Sequence, residues 1–367
     1  MTTDKVTFVI ESLKIGGAER VVTNLATEFD KHGWDVDIVV VQEKGPLEGE
    51  LPASVGVHLL NVNRTLASVP SLVSYFRRRQ PDAVISNMTH VNLIVTFSVK
   101  LSRIDTTLVV VEHSLLSERI ERINSQKERL TAIFAGQFYP KTDAIVAVSD
   151  GLADDIATVT GVNRSSITTV HNPIDIKNVR RQAREAINHE WFQKNRVPVI
   201  ISVGRIEVRK DYTTLLFAFE DVLKHQDCRL VICGDGPEYE KLHELANKLR
   251  IQDKVSFLGW VENPHKYVSR SDVFVLSSIV EGFSNVLVEA LAVGCPIVST
   301  DCQGGPAEIL EDGNLGRLVP VGDDKAMSIA IRKTLTEKKR KNLRERANAF
   351  DIENAYQEYE RLCRGKT

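Results

Sequence analysis

Residues 5–29, KVTFVIESLKIGGAERVVTNLATEF, and residues 197–223, VPVIISVGRIEVRKDYTTLLFAFEDVL, decide the fold. Each gives a strand, then a turn of special residues, then an amphipathic helix. That unit opens both halves of a chain in which short apolar runs alternate with amphipathic stretches nearly throughout, the pattern of βαβ units and parallel sheets. Strands are expected at Val6–Ile10, Val36–Val41, Val57–Val62, Ala83–Ser86, Thr107–Val111 and Ala144–Val148 in the first half. In the second they are expected at Val197–Val203, Arg229–Cys233, Val255–Leu258, Val273–Ser277, Pro296–Ser299 and Arg317–Val319. The prediction is α/β, with two Rossmann-like domains of six strands each. The join falls at VHNPID, Val170–Asp175, because Asn172-Pro173 stops regular structure. Domains of 1–172 and 173–350 follow, with a last amphipathic helix in 351–367 packing back on the first.

The 367 residues exceed the size at which one core keeps growing, which independently favours two domains. A chain 43% apolar and 26% charged is an ordinary soluble protein. The net charge of -2 argues against nucleic-acid binding, which leaves a basic footprint. Cysteines at 228, 233, 295, 302 and 363 are odd in number and lack C-x-x-C, so neither a disulfide framework nor a zinc site is indicated and a reduced cytoplasm fits. The start MTTDKVTFVI lacks a signal peptide's basic and apolar regions, and no run approaches the ~18 apolar residues of a membrane span. Any membrane contact is therefore peripheral.

Residues 279–299, IVEGFSNVLVEALAVGCPIVS, hold Glu281 and Glu289 in apolar surroundings. With Ser284 or Asn285 capping a helix from about Val286, Glu281 falls in the loop and Glu289 one turn inside. Each carboxylate then contacts a different part of one extended ligand, and the helix start offers an anion site suited to phosphate. The competing reading is a polar loop with a salt-bridged Glu289. In GRIEVRKDY, Arg205 and Lys210 precede the candidate N-cap Asp211, so two cations sit at the positive end of a helix. That placement is unfavourable unless an anion binds between them, where a guanidinium fork and an ammonium neutralise a diphosphate without a metal. Arg209 reads equally well as a solvated charge.

The GR-x4-K of Arg205 and Lys210, the GDGP of Gly234–Pro237, the FLGWV of Phe257–Val261 and the E-x7-E of Glu281 and Glu289 occur in that order. In order and spacing they resemble the retaining GT-B glycosyltransferases of family 4, and GGAER resembles that family's acceptor-side glycine loop. The resemblance implies two Rossmann-like domains facing a central cleft, with acceptor in the first and nucleotide-sugar donor in the second. It implies that Glu289 holds the ribose hydroxyls and that Arg205 and Lys210 grip the diphosphate, closed by N–H groups around Phe283, Ser284 and Asn285. Glu281 with the backbone of Gly282 and Phe283 touches the transferred sugar, Gly234 belongs to the donor loops, and Trp260 and Val261 border the base. His113 points toward the sugar, and a His at the carboxyl end of a strand in an open α/β sheet is well placed for that. Gly16 and Gly17 permit close backbone approach, although KIGGAER is not a dinucleotide fingerprint. Asp35-Val-Asp37 matches a metal-holding D-x-D but begins a strand, so no metal site is expected.

The implied reaction moves a sugar from a nucleoside diphosphate to a hydroxyl with retention, a donor phosphate oxygen accepting the acceptor proton. No cofactor or metal is required. UDP-hexose or UDP-N-acetylhexosamine is favoured over GDP-mannose, because relatives with GGAER often build surface polysaccharides. Residues 114–139 mix Arg119, Arg122, Lys127 and Arg129 with an apolar stripe, and SLVSYFRRRQ at 71–80 ends in three arginines. Such surfaces suit an anionic membrane or a lipid diphosphate. The expected acceptor is thus a glycan, lipid-linked, at the inner membrane face. The alternatives are a sugar-nucleotide 2-epimerase on the same architecture and a GDP-mannose-dependent mannosyltransferase.

Overall fold

The computed structural model describes residues 3–62, 64–123, 126–193, 197–337 and 342–365. The chain forms two compact units: Met1–Ile174 with Asp351–Thr367, and Asp175–Phe350.

In the first unit β1 (Lys5–Ser12), β2 (Asp35–Glu43), β3 (Gly56–Leu59), β4 (Ala83–Asn87), β5 (Thr107–Glu112), β6 (Ala144–Ala147) and β7 (Ile167–Thr169) form one sheet ordered β3-β2-β1-β4-β5-β6-β7. Its pairings are all parallel. The helices are α1 (Gly17–Lys31), α2 (Val69–Arg79), α3 (Thr89–Ser102), α4 (Leu116–Ile123), α5 (Gln126–Phe138) and α6 (Asp150–Thr160). The central strands are near-continuous apolar runs because helices cover both faces: Phe8, Val9, Ile10, Val84, Ile85, Val109 and Val110 are all fully buried. The expected six strands become seven. Ile-Thr-Thr of β7 carries one apolar side chain and two half-buried threonines, too little for a hydrophobic pattern to register.

In the second unit β8 (Val199–Val203), β9 (Arg229–Cys233), β10 (Val255–Gly259), β11 (Val273–Leu276), β12 (Ile297–Thr300) and β13 (Arg317–Val319) form a parallel sheet ordered β10-β9-β8-β11-β12-β13. Its helices are α7 (Ile176–Gln182), α8 (Tyr212–Leu223), α9 (Tyr239–Lys248), α10 (His265–Val268), α11 (Asn285–Val293), α12 (Pro306–Ile309), α13 (Asp324–Thr336) and α14 (Leu343–Ala347). Leu215, Leu216 and Phe219 of α8 pack with Ile200, Ile232 and Val298 of the sheet and with Met327 and Ile331 of α13.

Strand order reverses at β1/β4 in one sheet and at β8/β11 in the other. Ligands of open parallel sheets bind beyond the carboxyl ends of the strands at such a reversal. The loops after β1, β4, β5, β8 and β11 are therefore where chemistry is expected.

The chain re-enters the first unit through a parallel bridge between Ile174 and Asp351. There α15 (Ile352–Cys363) lies on α1, with Tyr356 edge-on to Phe29 at 4.9 Å and stacked on His32 at 3.9 Å. All five cysteines are free and buried. Among the described residues no helix is long and apolar enough to cross a membrane.

Candidate functional site

In the second unit the loops beyond the strands are joined to one another through their backbones. Gly204 N–H donates to Cys233 O (3.0 Å), Ile206 N–H to Asp235 O (2.9 Å) and Gly234 N–H to Gly259 O (2.7 Å). A Cβ on Gly234 would stand 1.9 Å from Gly204 O, so only glycine lets the loops after β8 and β9 approach this closely. The loop after β11 is held the same way: Glu281 N–H donates to Gln303 O (3.1 Å), and a Cβ on Gly304 would lie 1.8 Å from Glu281 O. The stretch QGGP, 303–306, was not among the motifs read from the sequence. Its signal was the Gly-Gly pair shortly after a strand.

The side chains on this frame differ in how far they are already committed. Asp211 caps α8, accepting from Thr214 N–H at 3.2 Å. The expectation of two uncompensated cations before that helix is corrected: Lys210 Nζ lies 2.6 Å from Glu281 Oε1, which also accepts from Ser278 Oγ at 2.6 Å. Arg209 is braced by Glu207 at 2.7 Å. Arg205 is the most exposed of the three, its side chain 69% exposed and its Nε 4.0 Å from Glu207 Oε2.

Helix α11 begins at Asn285, one residue earlier than the sequence predicts. Ser284 occupies the cap position without capping: its hydroxyl is buried and has no partner among the described residues. Leu287, Val288, Ala290 and Leu291 are buried, leaving Asn285, Val286 and Glu289 on the more open side. Glu289 is half-buried and accepts no hydrogen bond among the described residues. The His265 ring lies beside it, Nδ1 at 3.8 Å. Gly282 and Phe283 carry the chain from Glu281 to this helix, and Trp260, 61% exposed, follows Gly259 with Val261 beside it.

In the first unit the ends of β4 and β5 carry a network of side chains. His113 follows β5, with Nε2 2.9 Å from Asn87 Oδ1 at the end of β4. Its Nδ1 is buried without a partner among the described residues, and burial pushes its pKa down to about 4. Beneath it Glu112 is fully buried and accepts from Thr89 Oγ1 (2.9 Å), Asn92 Nδ2 (3.2 Å) and the Tyr139 hydroxyl. Burial raises the Glu112 carboxyl, opposed by those three bonds. Asn87, Thr89, Asn92, Glu112 and Tyr139 escaped the sequence reading; a carboxylate directly before His113 was the available signal.

Gly16 precedes α1 in extended conformation, and Gly17 opens the helix with nothing within 4 Å of where its Cβ would be. Nothing in the chain's own packing demands glycine at 17. Glu19 folds back toward Ser12, its carboxyl raised by burial, and Arg20 pairs with Glu50. The Asp35-Val-Asp37 pair is spent on packing: Arg79 bonds both carboxylates, and the Tyr75 hydroxyl donates to buried Asp37 at 2.5 Å.

A model described as "Glycosyl transferases group 1" matches residues 183–350, and one described as "Glycosyltransferase Family 4" matches residues 15–178. The chain belongs to this glycosyltransferase family. This glycosyltransferase is 28% identical over 363 residues to the N-acetylgalactosamine-N,N'-diacetylbacillosaminyl-diphospho-undecaprenol 4-alpha-N-acetylgalactosaminyltransferase of Campylobacter jejuni, covering 95% of this chain and 96% of that one. It is 26% identical over 332 residues to the lipopolysaccharide 1,6-galactosyltransferase of Escherichia coli K12, covering 87% and 86%. Among solved structures, Anabaena HepE in complex with UDP-glucose superposes with a TM-score of 0.79 at 21% identity, covering 97% of this chain and 98% of that one. The lipopolysaccharide galactosyltransferase WaaB in its apo form gives 0.75 at 20%, covering 98% of each. The two parallel-sheet Rossmann-like units of this glycosyltransferase are those of the GT-B fold.

Proposed function

We propose that this enzyme transfers a hexose or N-acetylhexosamine from UDP to a hydroxyl of a lipid-linked glycan, with retention and without a metal, in the assembly of a surface polysaccharide or glycoconjugate. The observation that carries the donor reading is the start of α11. A buried Ser284 hydroxyl without a partner stands at a helix N-terminus, one turn from a Glu289 carboxylate that accepts no hydrogen bond. A phosphate oxygen accepts from the first, and ribose hydroxyls donate to the second. Arg205, 69% exposed and only loosely paired with Glu207, supplies the guanidinium for the diphosphate. Lys210, held by Glu281, supplies a pre-positioned ammonium, and Glu281 with Gly282 and Phe283 faces the sugar. Trp260 and Val261 border the base, and the Gly234 loop supports the donor loops. His113 contacts the sugar, and Gly16 and Gly17 leave room for the diphosphate and acceptor.

Negative charge gathers on the leaving UDP as the glycosidic bond breaks, so Arg205, Lys210 and the helix start stabilise the transition state. A donor phosphate oxygen takes the acceptor proton on the face the UDP leaves. The names of relatives support this reading: HepE is seen with UDP and with UDP-glucose, and the Campylobacter enzyme is named for an α-linked N-acetylgalactosamine and a diphospho-undecaprenol acceptor.

A peripheral position at the cytoplasmic face of an anionic membrane is supported by α3 and α5. They expose Phe97, Leu101, Leu130, Ile133 and Phe134 together with Lys100, Arg103, Lys127 and Arg129. The RRR run contributes less than its composition promises. Arg77 donates to Leu101 O and Arg79 is paired with Asp35 and Asp37, leaving Arg78 exposed. Of the basic stretch 114–139, Asn124 and Ser125 and the Arg122 side chain lie outside the described residues.

A thermal-shift screen over UDP-, GDP- and ADP-sugars tests the donor, since a ligand bound by the native state raises the unfolding temperature by mass action. Stabilisation by UDP-N-acetylhexosamine or UDP-hexose that is lost in Arg205→Ala is expected. No stabilisation by any UDP compound refutes the reading.

A further inference from the structure

Asn87 is 1% exposed, and its amide group is oriented by what surrounds it. The NH2 donates to Val9 O at 3.3 Å and to Ile85 O at 3.4 Å. Both partners are carbonyls and only accept, so the amide oxygen is the atom that faces His113 Nε2. An amide oxygen cannot donate. The ring proton therefore sits on Nε2 and the lone pair on Nδ1, the buried nitrogen without a partner.

The backbone reinforces this arrangement. Met88 holds φ 76°, ψ 135°, a conformation that a non-glycine residue keeps only when its surroundings impose it. Both neighbours are tied: Asn87 to the imidazole and two carbonyls, Thr89 through its hydroxyl to the buried Glu112. Met88 N–H itself donates to Val111 O at 3.1 Å, two residues before His113. The strained turn, the amide and the imidazole thus form one rigid assembly.

We propose that Asn87 is a positioning residue of the transfer reaction: it fixes His113 as the Nε2–H tautomer, so that Nδ1 meets the bound sugar as a hydrogen-bond acceptor. This rests on the reading of His113 as a sugar contact. No proton leaves or reaches the ring; the lone pair receives a hydroxyl or amide hydrogen from the sugar. The consequence is selective. A sugar presenting a hydrogen-bond donor to Nδ1 is accepted, whereas one presenting a carboxylate sets lone pairs against each other and is excluded. The donor class is then neutral hexoses and N-acetylhexosamines rather than uronic acids.

The test begins on the full, unmodified chain. Nitrogen-15 NMR of labelled histidine reports the tautomer of His113 directly, and the Nε2–H form at neutral pH is expected; the Nδ1–H form overturns the proposal. The second measurement is Asn87→Asp. A carboxylate facing Nε2 favours the imidazolium, which puts a proton on Nδ1 and turns the acceptor into a donor. Turnover of UDP-N-acetylglucosamine or UDP-glucose should then fall about tenfold at pH 6 to 7, the worth of one lost hydrogen bond. It should recover as pH rises and the ring deprotonates, and the discrimination against UDP-glucuronate should narrow. A merely structural role for Asn87 would lower activity equally at every pH, and that result overturns the proposal. If the tautomer is Nε2–H but His113→Ala leaves the KM and kcat for the UDP-sugar unchanged, the sugar-contact reading fails while the tautomer assignment stands.

Discussion

The two units share a strand order but finish their strands in different materials. In the second, loops are joined backbone to backbone and spaced by glycines that no other residue could replace, as at Gly234 and Gly304. In the first, the loops after β1 and β2 also meet through backbone at a glycine, a Cβ on Gly45 standing 2.2 Å from Leu13 O, but the ends of β4 and β5 add a network of side chains: Asn87 on His113, and Thr89, Asn92 and Tyr139 on Glu112. A backbone frame leaves side chains such as the exposed Arg205 and the Ser284 hydroxyl for a ligand, which suits the nucleotide-sugar donor proposed above. A side-chain frame changes by substitution without moving the chain, which suits partners that differ from enzyme to enzyme.

The sharpest way to break this contrast is Gly304→Ala. The new Cβ would clash with Glu281 O in a backbone that already carries φ +116°, and a loss of about 3 kcal/mol or more in urea unfolding of the second unit is expected. Gly17→Ala, with open space at its Cβ, should leave stability nearly unchanged.

Arg205→Ala comes next. It should cost about 3 kcal/mol in kcat/KM, comparable with one oxyanion donor, and leave stability untouched because the side chain is exposed. Lys210→Ala should do both kinds of damage, since Glu281 stays buried without its cation. A stability loss of about 2 kcal/mol is expected, discounted for the partial exposure of Lys210. Adding Glu281→Gln should restore much of the stability and none of the turnover, and restored turnover would show that the pair is structural only.

Glu289→Gln should weaken UDP binding about tenfold by calorimetry, roughly one hydrogen bond to a charged acceptor, with unfolding unchanged. Unfolding without a change in UDP affinity would return Glu289 to a salt-bridge role with His265.

A separate test lies in the first unit's response to pH. His113 is neutral when folded, with its pKa at about 4, whereas an unfolded histidine titrates near 6.5. Between those values the unfolded chain binds the extra proton, so this contribution is complete above about pH 6.5 and is lost as pH falls toward 4. Glu112, raised by burial, acts in the opposite sense, its contribution being lost as pH rises. Comparing unfolding of wild type and His113→Asn from pH 7 to 5 isolates the histidine, and identical slopes would contradict its burial as a neutral ring.

The same contrast explains what the sequence disclosed. Twelve of the strands were legible because buried parallel strands are continuous apolar runs, and β7 was not because Thr168 and Thr169 share its three positions. The second unit's loops were legible because a backbone constraint is local: glycine stands where the chain must pass closely, and GDGP and GR-x4-K carry that mark in order. Pairings across long sequence separations left no such mark. Lys210 and Glu281 were each singled out, yet their contact across the sheet was not foreseen, and Asn87 lay unremarked although it bonds the very histidine that was chosen. Of the two cap candidates, Ser284 and Asn285, Ser284 holds the cap position, but its hydroxyl is not used for that.

The return of the chain to the first unit at Asp351 has a consequence for how the protein is made. A ribosome completes the whole second unit before α15 exists, so the first unit waits with the surface around Phe29 uncovered for roughly ten seconds to half a minute, at about 5 to 20 residues per second. During that time the second unit is free to reach its fold, while the earlier-synthesised first unit cannot finish. A premature stop at residue 352, before α15, would thus spare the second unit and cripple the one that was synthesised first.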